Sequence, residues 1–173
     1  MEASVFEAQF QNAVPQAQIE GVICFVIMEP ISSEEVRAEV SRFWNVFSSK
    51  SKDKFEGMYF PSAVVFSSTA RQTEPGRLML ARRVRQFFVP AISIRAEVGA
   101  INVQLVGTNV AIAAYVYRFR SAQTESDGTK VNRETPFGRA TQIFQRDEGG
   151  ALRIIHEHMS SSTAPTVERI PPG

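Results

Sequence analysis

The side chains best suited to chemistry lie near the end of the chain, in His156-Glu157-His158. A carboxyl group or an imidazole can transfer protons near neutral pH when its surroundings adjust its pKa. The flanking residues alternate as in a β-strand, in which successive side chains point to opposite faces. One predicted face carries Arg153, Ile155, Glu157 and Met159. The other carries Leu152, Ile154, His156 and His158.

The two histidines do not predict a metal site. Their spacing puts both imidazoles on one side of a strand, but a metal site needs three or four ligands of suitable geometry. The chain has two histidines and one cysteine in total. Packing or interface roles are therefore expected for His156 and His158, and no metal.

Three helices are predicted in the first half of the chain. Ser32 and Glu35 form a capping box, Ser-x-x-Glu, at the start of the first helix. Its apolar positions recur at helical spacing: Val36, Val40, Phe43, Trp44 and Phe47. A short second helix covers 53–58 and buries Phe55 and Met58.

The third helix is predicted over 77–88, after a short strand at 63–66 and a polar stretch at 67–76. Its expected apolar stripe consists of Leu78, Ala81, Val84 and Phe88. Its cations are Arg82, Arg83 and Arg85, for which a solvated helix face is favoured over an anion site.

The second half of the chain predicts four long antiparallel strands, over 92–106, 110–120, 134–146 and 151–160. Gly99 indicates a bulge or bend, residues 107–109 a hairpin turn, and residues 121–132 a polar loop. The inward face of the second strand is expected to carry Ala113, Tyr115, Tyr117 and Phe119. Helices followed by strands indicate an α+β domain with helices packed on one face of a curved sheet.

The two ends of the chain are interpreted separately. Residues 1–31 form an N-terminal extension, with helical spacing before Pro15 and an apolar run, Ile19 to Met28. This run indicates a strand covered on both faces or a segment buried against a partner, and its periodicity does not separate a buried strand from a buried helix. Cys24 lies in this run and is expected to be an inert thiol. Residues 32–160 form the main domain, and the proline-rich tail, 161–173, is expected to be frayed.

Bulk properties exclude several functions. The formal net charge is +1 and the basic residues are dispersed, so no nucleic-acid surface is expected. The longest apolar run, seven residues from Val22, is too short to span a bilayer. A single cysteine is compatible with a reducing cytoplasm, where we expect the protein to function.

Three segments together resemble the nuclear transport factor two superfamily: RFWNVF, KFEGMYFPSAVVF and GRATQIFQRDEGGALRIIHEHMS. The similarity is strongest to its SnoaL-like and ketosteroid-isomerase-like branch, and the last strand also resembles the association domain of calmodulin-dependent kinases. Leu152 departs from the pattern, because many relatives have tryptophan there. The resemblance implies a cone-shaped, curved antiparallel sheet around about three helices, an enclosed cavity and homodimers formed through the sheet.

The resemblance also implies which residues face the cavity. It places Met159 there, together with Ile155 and Glu157 by strand parity, and turns His156 and His158 away. The same comparison turns inward Arg139, Thr141, Tyr115 and Tyr117. Trp44, Phe47, Tyr59 and Phe66 are further candidates for the pocket lining, although core packing is the default interpretation of each.

Two roles are open for Glu157. In an apolar pocket its pKa would be raised, which suits a general acid or base. It could instead form a structural ion pair with Arg139 or another cation. Arg139 could likewise bind a ligand carboxylate or make a structural pair.

Two functions follow from these alternatives. One is a cofactor-independent domain that binds a small hydrophobic or carboxylated molecule and isomerises, cyclises or dehydrates it, with Glu157 as the proton carrier. The other is a non-catalytic ligand-binding or association module. An open cavity containing Glu157 favours the enzyme, whereas an interior filled by Phe and Met side chains favours the module.

Overall fold

The computed structural model describes residues 29–66, 74–161 and 166–170. Several predictions lie outside these ranges: the helical spacing before Pro15, the apolar strand from Ile19 to Met28 with Cys24, and most of the polar stretch at 67–76. The main domain and part of the tail are therefore the regions in which the sequence-based expectations can be compared with the structure.

The helices lie in the first half of the described chain, as predicted. They are α1 (Ser33–Ser48), α2 (Lys52–Glu56) and α3 (Gly76–Arg83), and a π-helical turn (Val84–Phe88) continues α3. The capping box at Ser32 and Glu35 is present. The predicted apolar face of α1 is confirmed, because all five of its residues are buried. Phe55 and Met58 are also buried.

The predicted apolar stripe of α3 is partly wrong. Leu78 is 65% exposed and Ala81 is also exposed, whereas Phe88 is buried and Val84 packs against the core as predicted. Met79, Leu80 and Arg83 are also buried, because the first two join the core and Arg83 has an anionic partner in the interior, described below. Arg82 and Arg85 are exposed, as expected for a solvated helix face. Arg83 is buried, so the expectation is wrong for this residue.

A single sheet forms the rest of the domain. Its strands are β1 (Tyr59–Phe66), β2 (Glu74–Pro75), β3 (Ala91–Val106), β4 (Val110–Thr124), β5 (Lys130–Arg146), β6 (Leu152–Ser161) and β7 (Thr166–Arg169). The order across the sheet is β2-β1-β6-β5-β4-β3, and β7 pairs with β5. Only the β1–β6 pairing is parallel among these. The predicted α+β class and the predicted curvature of the sheet are confirmed. The described strands do not close into a barrel.

Two segments predicted to be irregular are ordered strands. The polar loop expected at 121–132 is reduced to residues 125–129, because the ladder between β4 and β5 continues past Phe119. Ser121 and Gln123 keep the inward parity and are buried, with Gln123 Nε2 donating to Ser121 Oγ at 3.0 Å. The tail is not frayed throughout, since β7 pairs with β5 over 131–134, where β6 is not paired.

The predicted bulge at Gly99 is confirmed by a register shift between Val98 and Ile101 in the β3–β4 ladder. The predicted inward face of β4 is also confirmed, because Ala113, Tyr115 and the other two residues of that face are buried. β4 shows the predicted alternation of buried and exposed residues because it is a central strand that pairs with β3 on one side and with β5 on the other.

Aromatic rings pack against one another between the helices and the sheet. Phe47 lies at the centre, with its ring centroid 5.3 Å from Phe55, 5.1 Å from Phe88 and 5.8 Å from both Phe87 and Phe119. Such pairs contribute about 0.5–1.5 kcal/mol each beyond their buried area. The π-helical turn presents two consecutive phenylalanines, 87 and 88, to this cluster.

Gly138 provides a test of the packing. A Cβ at this position would overlap the ring of Tyr117, its partner across the β4–β5 ladder. Gly138→Ala should therefore destabilise the fold by roughly 1–3 kcal/mol, the usual cost of overpacking a core. Gly149→Ala is the control, since Gly149 lies in an exposed turn; its effect should stay within about 0.5 kcal/mol. Urea denaturation measures both, and equal effects would contradict the argument.

Candidate functional site

The centre of the candidate site is the Glu157 carboxylate, which is completely buried. Its Oε2 atom accepts hydrogen bonds from Tyr59 Oη at 2.9 Å and from Gln142 Nε2 at 2.8 Å. Its Oε1 atom forms an ion pair with Nη2 of Arg83, which is also buried. Three different groups therefore hold the two oxygens.

The hydrogen bonds continue outward from Glu157 as a network. Arg83 Nη1 donates to Tyr59 Oη at 3.0 Å, and Tyr115 Oη donates to Gln142 Oε1 at 3.0 Å. Trp44 Nε1 donates to Tyr115 Oη at 3.2 Å. Each donor points along the network towards the carboxylate. We call this set the Glu157 network; its members are Trp44, Tyr59, Arg83, Tyr115, Gln142 and Glu157.

A bulge in β6 turns Glu157 inward. Phe144 pairs with Ile154 and Ile143 pairs with His156, so Ile155 is an extra residue in the ladder. Strict alternation would put Ile154 and Glu157 on opposite faces. The bulge changes the parity between them, and both are buried.

The β6 predictions are therefore partly right. Glu157 and Met159 are buried, while His158 is exposed and His156 is half-buried. The predicted inward position of Ile155 and outward position of Ile154 are wrong, because the bulge intervenes. Leu152, also predicted to face outward, is buried as well.

The predicted inward orientation of Arg139 and Thr141 is wrong. Residues directly opposite in an antiparallel ladder share a face. Tyr115 pairs with Ala140, so Ala140 is buried and its neighbours Arg139 and Thr141 lie on the outer face, exposed and half-buried respectively. Gln142 takes the inward position, and Glu157 pairs with Arg83 instead of Arg139.

Three predicted pocket residues, Phe47, Tyr117 and Met159, surround the network as packed core, and Trp44 belongs to the network. Trp44, Phe47 and Tyr117 are buried, and the Tyr117 ring lies 4.8 Å from Trp44. Met159 Sδ is 3.5 Å from Arg83 Nη2. Tyr59 and Tyr115 are buried members of the network itself.

Sequence reasoning missed Arg83 and Gln142 as site residues. Gln142 lies two residues after Ala140 and therefore on the same face of β5. Ala140 pairs with Tyr115, which was predicted to face inward, so the inward orientation of Gln142 follows from that pairing.

A partial signal for Arg83 was available, because Met79, Leu80 and Phe87 lie three or four residues from it and so share its helical face. These residues pack in or against the core, and Arg83 is buried with them and paired with Glu157.

The Glu157 network shifts the pKa values of three of its members, Tyr59, Arg83 and Tyr115. Burial raises the pKa of Tyr59 and of Tyr115 well above the usual value, and the negative charge of Glu157 adds to both shifts. Burial is the largest single effect on the pKa of Arg83 and would lower it, but the charge and hydrogen bonding of Glu157, with Tyr59 and Tyr117, together outweigh burial and the pKa is raised. Arg83 therefore remains a cation, and the tyrosines remain neutral hydrogen-bond donors.

Two surface depressions lie apart from the network. One, of about 540 Å³, lies at the start of α1 and is lined by Glu29, Pro30, Ser32, Glu35, Arg146, Glu148, Gly149 and Gly150. The other, of about 580 Å³, lies along α3 and is lined by Leu78, Ala81, Arg82, Arg85 and Gln86. In the first, Arg146 makes two contacts of 2.8 Å with the Glu35 carboxylate.

Among the described residues, no group of three or more His, Cys, Asp or Glu side chains could hold a metal ion. In the same ranges, no helix is long and apolar enough to cross a membrane. His158 instead packs against Phe66, with ring centroids 5.6 Å apart.

Comparison with known proteins shows similarity of fold. No family model matches the sequence, and no curated protein matches it. A nuclear transport factor 2 (NTF2-like) superfamily protein from Salmonella enterica matches with a TM-score of 0.62 and 18% identity, over 76% of this chain and 91% of that chain.

Two further structures indicate the range of proteins with this fold. The association domain of C. elegans calcium/calmodulin-dependent protein kinase II has a TM-score of 0.57 and 14% identity, over 74% of this chain and 94% of that one. A Novosphingobium aromaticivorans protein provisionally named a scytalone dehydratase has a TM-score of 0.66 and 9% identity, over 80% and 88%. The chain therefore has the NTF2-like fold, and the resemblance seen in the sequence is confirmed at that level.

The Arg83–Glu157 pair predicts a large energetic coupling. Removing one partner of a buried ion pair leaves an uncompensated charge, which costs about 3–5 kcal/mol. Arg83→Met and Glu157→Gln should each cost about this much, and the double variant should cost clearly less than their sum. Urea denaturation of the four proteins measures the coupling.

The matched control for this cycle is the exposed helical pair Lys52 and Glu56, 3.8 Å apart. Lys52→Met and Glu56→Gln should show a coupling of only about 0.3–0.5 kcal/mol. Additive effects of Arg83→Met and Glu157→Gln would show that the buried pair is not energetically coupled.

The three tyrosines, which are all the tyrosines of the chain, predict the alkaline behaviour. Burial also raises the pKa of Tyr117. A pKa raised on folding stabilises the fold fully below the unfolded value, about 10, and this stability is lost as pH rises towards the folded values. Tyrosinate absorbance at 295 nm should therefore appear together with loss of the circular dichroism signal. Tyrosinate forming near pH 10 in folded protein would contradict this.

Proposed function

We propose that this domain is a non-catalytic association module that forms homodimers through the outer face of its sheet. The observation that carries the proposal is the state of Glu157. It is the inward carboxylate on which acid–base chemistry would depend, and Arg83, Tyr59 and Gln142 occupy both of its oxygens.

Proton transfer requires a group within hydrogen-bonding reach of a substrate. A substrate would reach Glu157 only by displacing the Arg83 guanidinium or one of the two neutral donors. Displacing Arg83 would leave a buried cation without its partner, at a cost of several kcal/mol. The arrangement thus suits a structural ion pair, the alternative to catalysis that the sequence had left open.

The packed interior supports the same interpretation. The buried core includes the phenylalanines Phe47, Phe55, Phe88 and Phe119 and the methionines Met58, Met79 and Met159. An interior occupied by phenylalanine and methionine side chains is the arrangement expected of a module that acts through its surface.

The outer face of the sheet provides that surface. Val64 and Phe66 on β1 are 40% and 37% exposed, and Val116 on β4 is 52% exposed. Val116 lies against Gly99 on the adjacent strand, where a side chain would collide with it. Arg139 and His158 add polar groups to the same face, as expected of an interface that is in contact with water when unpaired.

The occupant proposed for this face is a second copy of the chain. The similarity to a kinase association domain supports a role in assembly, and the exposed valines and phenylalanine supply apolar surface on both copies of a symmetric contact. The similarity to a protein named as a dehydratase supports the competing enzymatic function, which would require an accessible Glu157.

Val116→Arg tests the proposed interface. The new guanidinium would lie beside Arg139, the partner of Val116 across the ladder, and would add a like charge to both copies of the contact. The variant should therefore lose dimer mass in sedimentation equilibrium while the wild type retains it. Val89→Arg is the matched control, because Val89 is 75% exposed but lies at the end of the helical region, outside the sheet. It should remain dimeric.

Two results would contradict the proposal. One is a wild-type protein that is monomeric at every concentration measured. The other is a reaction turned over by the purified protein and lost in Glu157→Gln, with the folded state verified by circular dichroism. The second result would restore Glu157 as a catalytic residue.

A further inference from the structure

Both histidines of the chain lie on the outer face of the sheet. They are His156 and His158 on β6, the first half-buried and the second exposed. Glu157, between them, is buried on the inner face. Because side chains alternate along a strand, the two imidazoles share the face opposite Glu157. This is the face proposed above as the homodimer interface.

Uncharged residues flank His156 across both ladders. It pairs with Val64 on β1 and with Ile143 on β5. Val64 is exposed and Ile143 is half-buried, and both are apolar. The His156 imidazole therefore borders apolar surface that the proposed contact would bury.

His158 has neighbours of the same kind. It pairs with Phe66 on β1 and with Thr141 on β5. The imidazole meets the Phe66 ring edge to face, with an interplanar angle of 61°. Phe66 is one of the exposed apolar residues of the proposed interface. Covering this ring with a second copy would therefore also remove water from the His158 imidazole.

The charged groups around the two imidazoles offer little compensation for added positive charge. On β5, Arg139 is an exposed cation of the same face. On β6, Arg153 is paired with Asp147 at 2.6 Å, and Glu157 lies on the opposite face, paired with Arg83. Among the described residues, no carboxylate is the ladder partner of either histidine. A proton on either imidazole would therefore add a cation beside Arg139.

We propose, on the basis of the homodimer proposed above, that His156 and His158 make this dimer pH-dependent, so that it dissociates when the imidazoles are protonated. An imidazole side chain ordinarily gains its proton near pH 6.5, at about the midpoint of the range from pH 5 to 8. A symmetric contact contains both histidines of each copy, and burying charged imidazoles against apolar surface is unfavourable. Proton binding therefore favours the separated chains, and the dimer weakens as the pH falls through about 6.5.

Sedimentation equilibrium of the full-length chain on either side of the imidazole range, at about pH 7.5 and about pH 5.5, tests this proposal. EDTA is present, so that metal ions do not bridge the imidazoles. The dissociation constant of the wild-type dimer should rise at least about tenfold at the lower pH. The double variant His156→Gln, His158→Gln has no imidazole and should dimerise equally at both values.

His158→Lys places a permanent cation at the same position. It should weaken the dimer already at about pH 7.5, at least about tenfold, because a lysine side chain remains charged there. Gln86→Lys is the matched control, since Gln86 is exposed in the π-helical turn and outside the sheet. It should leave the dissociation constant unchanged. Circular dichroism verifies the folded state of each variant.

The possible results distinguish the pH dependence from the homodimer on which it depends. A wild-type chain that is monomeric at both pH values and at every concentration would overturn both proposals. A wild-type dimer with the same dissociation constant at both pH values would overturn the pH dependence alone. Dissociation of the double glutamine variant at about pH 5.5, as strong as that of the wild type, would also overturn it, because groups other than imidazoles would then be responsible.

Discussion

The buried ion pair between Arg83 and Glu157 is the interaction on which the rest of the interior depends. Neither charge could remain in an aromatic core without the other. Their pairing requires α3 to turn its Arg83 face inward, which leaves Leu78 exposed. It also requires Glu157 to face the helices, which the bulge at Ile155 makes possible. Tyr59 and Gln142 both donate to the Oε2 atom of the carboxylate, whereas Oε1 contacts Arg83 in the ion pair without hydrogen-bond geometry.

The same pair connects architecture to function. Folds of this type include proteins named as enzymes and as association domains, so the fold alone does not select a function. In this chain the inward carboxylate is held by a cation and two neutral donors, and phenylalanine rings occupy the space around α1. These features favour a domain that acts through its exterior, where Val116 and Phe66 are exposed on the sheet.

Much of the fold could be predicted because some segments have strong local signals. The capping box at Ser32 and the spacing from Val36 to Phe47 define α1, since a helix start and an amphipathic face both depend on nearby residues. Alternation identifies the inward face of β4. Where the local signal was ambiguous, prediction failed: Ser121 and Gln123 are polar yet buried, because they hydrogen-bond to each other.

The sequence by itself determined the order of helices and strands, the α1 face and the inward tyrosines, because local periodicity carries this information. It also identified Glu157 as the central residue, although strict alternation would have placed Ile154 on the opposite face. Only the tertiary structure decided which cation meets Glu157, because Arg83 lies 74 residues earlier in the chain and no local pattern relates the two residues. That long-range charge pair, together with the burial of Met79 and Leu80, sets the orientation of α3.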